Sequence, residues 1–355
     1  MCHSFYIETW IHKCRLSIYN NHIIIYSYTI MKTQIRNFPV GLTGIALGTA
    51  TLGAAWGNEQ IAWVQYITLT IALVYFFLVV LRNVLHPDVF KDELKHHILG
   101  SYVPTMAMSM MVFAGVLVKF NTALGQGLWL LAIGIHLFCL VVFIYHRIRN
   151  FEMEHIVPSW FVPPIGIVVA CVNASQMGFP NLSLTIWWIA TPLYLVMLAF
   201  MIYRLAFYQF STVETFGIMA APASLCFAGY LTITPHPNEF ICHMLLTLSI
   251  LMTSILYIAF IHLLRNKFNP GFAAFTFPLA IGTVALQKYS KVLEVAGEYT
   301  FSNVVHFISL IELGVATLVI GYVVIRIFHY CKTEVLGINL MTSIDTFLIK
   351  LHLKH

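Results

Sequence analysis

Five prolines stand at a spacing that points to chemistry: Pro39, Pro104, Pro163, Pro222 and Pro278, separated by 65, 59, 59 and 56 residues. A proline inside a helix removes one N–H donor and clashes with the carbonyl four residues earlier, which bends the helix and frees that acceptor. By this rule Pro104, Pro222 and Pro278 release the carbonyls of Gly100, Ile218 and Ala274. Surrounded by apolar material, such groups must meet a neighbouring helix, a hydroxyl or water. Small residues accompany the prolines, with Gly41, Gly44 and Gly48 after the first and Gly217, Ala220 and Ala221 before the fourth. Ionisable chemistry is sparse: Glu312 with His306 six residues earlier, and Lys288 with Lys291 after the fifth proline.

The elements that carry these residues follow from composition. The chain is 59% hydrophobic and only 9% charged, against about a quarter charged for a soluble globular protein. A membrane-crossing helix needs roughly 20 apolar residues. Ten such stretches read as Phe38–Trp56, Ile61–Leu81, Ile98–Val118, Leu124–Tyr145, Trp160–Gly178, Ser183–Tyr203, Thr215–Thr234, Phe240–Leu264, Phe272–Leu286 and Asn303–Phe328. The expected fold is therefore an all-α polytopic membrane protein. The five prolines fall in or at the start of spans 1, 3, 5, 7 and 9, so the repeat is one helical hairpin; among the even spans only the sixth carries a proline, Pro192. Five bent, small-residue helices call for a shared axis, with straighter even helices around them.

Sixteen of the nineteen Lys and Arg residues fall in the tails and in the loops after spans 2, 4, 6 and 8. Basic residues stay on the cytoplasmic side, so both termini are expected there. Residues 1–35 read as a cytoplasmic extension, 36–330 as the transmembrane domain and 331–355 as a cytoplasmic tail. Met31, just before Lys32, Arg36 and the first span, is a candidate natural start. The net charge of +5 is spread over loops and not gathered on one soluble face, which argues against nucleic acid. The seven cysteines form no CxxC pair, so neither a zinc site nor a disulfide framework is suggested. No HExxH, GxSxG or phosphate-binding loop points to an enzyme, and no cofactor or metal is expected.

The sequence Phe38-Pro39-Val40-Gly41-Leu42-Thr43-Gly44-Ile45-Ala46-Leu47-Gly48 resembles the first helix of the tellurite-resistance/dicarboxylate transporter family. That family includes a bacterial tellurite-resistance channel and the slow-type anion channel of plant guard cells. Tyr102-Val103-Pro104, Pro158-Ser159-Trp160-Phe161-Val162-Pro163, Gly217-Ile218-Met219-Ala220-Ala221-Pro222-Ala223 and Phe275-Thr276-Phe277-Pro278-Leu279 match its third, fifth, seventh and ninth helices in order and spacing. The resemblance implies ten helices as five hairpins with quasi-fivefold symmetry around a central pore, a homotrimer in the plasma membrane, and passage of small anions. It also implies a pore gate, which by motif position is Phe277, with Phe275 as the neighbour a misreading would choose. Gly44, Leu47, Gly48, Pro104, Pro163, Pro222 and Pro278 are then expected to line the pore or bend its helices. The same family contains proton-coupled C4-dicarboxylate (malate-type) carriers and tellurite-resistance transporters, which stand as the alternative.

Each residue also has a plainer reading. Among 27 phenylalanines, Phe277 is ordinary packing unless the motif holds. Glu312 and His306 either carry a proton or lock an outer helix to an inner one. Lys288 either draws anions to the outer mouth or is a solvated loop charge. The inner spans hold almost no basic side chains, so peptide dipoles and hydroxyls such as Thr43, Ser101, Thr105, Thr276 and Thr283 are left to meet an anion. Each such hydroxyl also has the option of bonding back to its own helix.

Overall fold

The computed structural model describes residues 32–208, 213–263 and 265–337, and among these there is no strand. Eight helices are long and apolar enough to cross a membrane: α2 (Ala62–Leu85), α3 (Leu99–Leu117), α4 (Thr122–Arg149), α6 (Pro180–Phe207), α7 (Glu214–Ile233), α8 (Glu239–Leu263), α9 (Pro270–Val295) and α10 (Tyr299–Val335). Two more helices complete the order. One is α1 (Gly41–Asn58), rich in Gly, Ala and Thr; the other is the 15-residue α5 (Pro158–Val172). Both coincide with expected spans, and both fall short of a lipid-facing helix because protein surrounds them. The expected extension over residues 1–35 and tail over 331–355 lie largely outside the described residues, although α10 runs on through Val335.

Burial divides the helices into two classes. Between 78% and 89% of the apolar stretch of α3, α7 and α9 is buried, against 28% to 39% for α2, α4, α6, α8 and α10. In α1, 13 of the 18 residues are buried. The odd helices touch in sequence, α1 to α3, α3 to α5, α5 to α7 and α7 to α9, and α9 closes on α1. Each even helix packs on the odd helix before it. The hydrophobic core thus lies between an inner ring of odd helices and an outer layer of even ones.

The inner helices share a distorted start. Proline 222 is the second residue of the α-helical part of α7, after a 3₁₀ stretch over Val213–Ala220. Pro278 is the third of Thr276–Val295, after a 3₁₀ stretch over Pro270–Phe275. Pro163 is the second residue of Val162–Ile165, again after a 3₁₀ stretch, and Pro104 caps Thr105–Leu117 after a break at Val103. In the first α-helical turn the missing N–H has no intrahelical partner to lose. The expected mid-helix bend therefore takes the form of a change from 3₁₀ to α winding. Pro192, by contrast, sits inside the unbroken α6.

Close approach holds the ring together. A Cβ on Gly48 would lie 2.4 Å from the side chain of Thr276, and Thr276 Oγ1 donates to Gly44 O at 3.1 Å. A Cβ on Gly217 would lie 2.3 Å from the Phe275 ring. Both positions admit only hydrogen because helices meet there backbone to side chain.

An arginine repeat fastens the outer layer to the ring. Arg82, Arg147, Arg204, Arg265 and Arg326 stand 65, 57, 61 and 61 residues apart, at or just beyond the basic ends of the even helices. Arg82 Nη1 donates to Phe38 O, just before α1, at 2.6 Å. Arg147 Nη2 donates to Lys95 O, in the segment before α3. Arg204 donates to Met153 O and Glu154 O, before α5, and the Arg326 guanidinium lies 5.4 Å from the Phe268 ring, before α9. Arg82 also forms a two-pronged bond with Glu93 (2.8 and 2.5 Å) on the short helix Pro87–Lys95. Gln34 Nε2 donates to Leu336 O at 2.8 Å, so the segments flanking α1 and α10 meet at this same end.

Candidate functional site: a constriction and a vestibule inside the ring

Within the ring lies a cavity of about 40 Å³ to which all five inner helices contribute, through Leu47 on α1, Met108 on α3, Ile165 on α5, Leu225 on α7 and Phe277 on α9. Gly44, Pro222 and Pro278 also line it. Such a volume holds no more than a few water molecules, and its walls are almost entirely apolar. Phe277 faces it, while Phe275 is fully buried and stacks edge-on with Phe260 and Phe272. Two residues apart on a helix, these rings point to opposite sides of α9.

The expected hydroxyls are spent elsewhere. Thr43 bonds Val40 O, Thr105 bonds Tyr102 O, Ser101 bonds Ile98 O, Thr276 bonds Ala273 O and Thr283 bonds Leu279 O. Each has turned back on its own chain three or four residues earlier. Thr43 and Thr105 also touch each other at 2.7 Å, stitching α1 to α3. Of the five, Thr105 alone lines the cavity.

Of the remaining sequence candidates, Gly48, Pro104 and Pro163 stand behind the wall. Gly48 packs on Thr276, and Pro163 O accepts from His136 Nε2 at 2.8 Å, joining α4 to α5. Sequence reasoning passed over Phe161, Met108 and Leu225, because an apolar residue on an apolar helix carries no signal of which way it faces.

Further along the ring, away from the basic end, is a second cavity of about 270 Å³. Asn58, Gln65, Lys119, Asn173, Gln176 and Lys288 give it a polar wall, and neither cavity is lined by an acidic residue. Phe277, Val284 and Lys288 lie seven and four residues apart, on one face of α9. At 1.5 Å per residue, constriction and vestibule are therefore roughly 16 Å apart along that helix. Lys288 belongs to the helix, which continues to Val295, and not to a loop after it. Its Nζ donates to Thr232 Oγ1 at 2.7 Å and sits 3.5 Å from Val172 O, bridging α9, α7 and α5. The run Gln287-Lys288-Tyr289-Ser290-Lys291 reads as a loop by polarity, yet Gln287 and Ser290 are bonded inside the protein.

Glu312 and His306 do not meet. His306 Nε2 lies 3.7 Å from Glu59 Oε2 at the vestibule end. Glu312 is buried against Gly282 on the rear of α9, where a Cβ would come within 2.9 Å of its Oε2. That oxygen, Thr253 Oγ1 and Tyr257 OH on α8 have no hydrogen-bond partner. No group of three or more His, Cys, Asp or Glu suited to a metal occurs among the described residues.

Residues 37–328 match the family model described as voltage-dependent anion channel, SLAC1. Two uncharacterized transporters of Methanocaldococcus jannaschii are similar: one is 31% identical over 49% of this chain and 58% of its own length, the other 30% identical over 48% and 56%. The matched region thus spans a little over half the length of these relatives. With the family model covering the whole ring, α1 through α10, this chain belongs to the SLAC1 voltage-dependent anion channel family.

Proposed function

We propose that the chain conducts small anions passively along the axis of the inner ring, with Phe277 as the plug. In this reading all ten helices cross the membrane, as five hairpins in quasi-fivefold array. The observation that carries it is the lining of the two cavities: no acidic side chain, an apolar constriction of about 40 Å³ closed by Phe277, and two lysines in the wider vestibule. An apolar plug in a narrow pore excludes water and stops conduction. Lysines held at the wide end raise the local anion concentration without placing a tight site in the path. Family membership supports the substrate class. The gathering of basic residues at one end supports both termini on the cytoplasmic side of the plasma membrane, and the Gln34–Leu336 contact supports one side for both. Assembly as a homotrimer is part of the same proposal and rests on the family relation.

The test is anion efflux from liposomes, comparing chloride, nitrate, sulfite and malate. Phe277→Ala is expected to raise the flux on the order of tenfold by removing the constriction. Unchanged flux from well-folded protein removes Phe277 from the gate. A second reading, proton-coupled dicarboxylate transport, is favoured by one observation, the unpartnered Glu312 behind α9. In the same liposomes, malate uptake that follows an imposed pH gradient and is lost in Glu312→Gln would select the carrier over the channel.

A further inference from the structure

Among the three buried arginines of the repeat, Arg147 meets neither a carboxylate nor a pair of carbonyls. Arg82 meets the carboxylate of Glu93, and Arg204 donates to two carbonyls from Nε and Nη2. Arg147 is equally well buried, at 6% exposure, but it donates to a single carbonyl, Lys95 O. Its Nε is buried with no acceptor, and among the described residues no carboxylate pairs with it. A guanidinium in apolar surroundings needs an anion or several oxygens to be stable there.

Arg147 stands at the basic end of a groove of about 500 Å³ on the outer surface, where the short α5 leaves a gap between α4 and α6. Trp160 and Pro164 form its floor, Phe143 and Ile144 one wall, and Leu193 the other. Phe143 meets Trp160 edge-on at 5.4 Å and lies under the Arg147 guanidinium at 5.7 Å. Ile144 is 45% and Leu193 39% exposed on what is a lipid-facing surface. One end is thus cationic and lacks an acceptor, and the rest is apolar along the helix direction.

We propose that this groove binds one anionic phospholipid of the cytoplasmic leaflet, an acyl chain lying between α4 and α6 and the phosphate accepting from the Arg147 guanidinium. Charge complementarity selects the occupant: a neutral apolar surface would fill the groove and leave the guanidinium unpaired, whereas a phosphate supplies the missing oxygens. Basic pockets between helices on the cytoplasmic side are suited to such headgroups. The bound lipid would touch Trp160, whose indole N–H donates to His97 O at 3.1 Å, so it braces the segments leading into both α3 and α5.

The experiment measures the thermal unfolding midpoint of the full-length protein in neutral detergent, titrated with phosphatidylglycerol, phosphatidylcholine or inorganic phosphate. Phosphatidylglycerol is expected to raise the midpoint more than phosphatidylcholine, and inorganic phosphate to leave it unchanged. Arg147→Gln and the groove-filling Leu193→Trp are each expected to abolish the difference between the two lipids. Leu193→Trp leaves Arg147 and its bond to Lys95 intact, so the idea stays testable even if Arg147→Gln folds poorly. A full phosphatidylglycerol shift in Leu193→Trp overturns the proposal, as does an equal shift from inorganic phosphate. So does efficient Ile144→Cys cross-linking between copies with no lipid response, which would assign the groove to a second copy of this chain.

Discussion

The inner and outer helices meet their surroundings by opposite means. Outer helices are uninterrupted, 24 to 37 residues long, and bury 28% to 39% of their apolar stretch. Three of the inner helices, α5, α7 and α9, begin in 3₁₀ winding and place proline in the first α-helical turn, and the ring meets through glycine and hydroxyl contacts. Lipid rewards length and hydropathy, whereas a packed interior rewards shape. A residue of the same type should therefore matter very differently in the two layers.

The largest effect on stability is expected where the layers are joined. Arg82→Gln leaves Glu93 buried without its partner and should cost about 3–5 kcal/mol, read as loss of the folded fraction in a denaturant titration. A loss no greater than that of an exposed arginine such as Arg149 would mean that the join carries little load. Next come the glycines. Gly48→Ala places a methyl group against Thr276 and should destabilise by about 1–3 kcal/mol, whereas a Cβ on Gly134 of α4 meets nothing within 4 Å. Gly134→Ala should be neutral, or stabilising by up to about 1 kcal/mol through helix propensity. Equal responses from the two would break the distinction between layers.

The smallest effect is expected from the basic end, outside the membrane-crossing segments. His96, His97 and His155 stack at 4.6 and 4.2 Å. Burial, with His155, His96 and Arg147 nearby, pushes His97 down from its ordinary value to about 4. Between that value and 6.5 the unfolded chain binds a proton that the folded stack refuses. The stack's contribution is thus complete above about pH 6.5 and shrinks as pH falls towards 4. The unfolding midpoint should decline over that window, and less so in His97→Gln.

Hydropathy located the outer helices because lipid leaves a periodic apolar record on them. Apolar length also picked out α1 and α5, although protein surrounds them and neither is long and apolar enough to cross a membrane; what the prolines added was which helices turn inward. The arginines at intervals of 57 to 65 residues were equally present in the sequence. Read as markers of sidedness, they concealed their bonds to Phe38, Lys95 and Met153. The direction of Thr43 or Thr276 was beyond reach, since a hydroxyl on a helix can face a pore or its own backbone at no change in spacing. The separation of His306 from Glu312 was obscured in the same way: six residues is neither one turn nor two, and neighbouring helices decide what each meets.

The arginine bonds to backbone carbonyls point backward along the chain. Arg82 reaches a carbonyl 44 residues before it, Arg147 one 52 residues before, and Arg204 two that precede it by 51 and 50. At each of these three joins the accepting carbonyl has been synthesised before the outer helix is complete, and only Arg82 also draws on a later residue, Glu93, 11 positions on. A ribosome feeding this chain into a bilayer would therefore release these first three helix pairs already fastened, leaving the closure of α9 on α1 to a later stage.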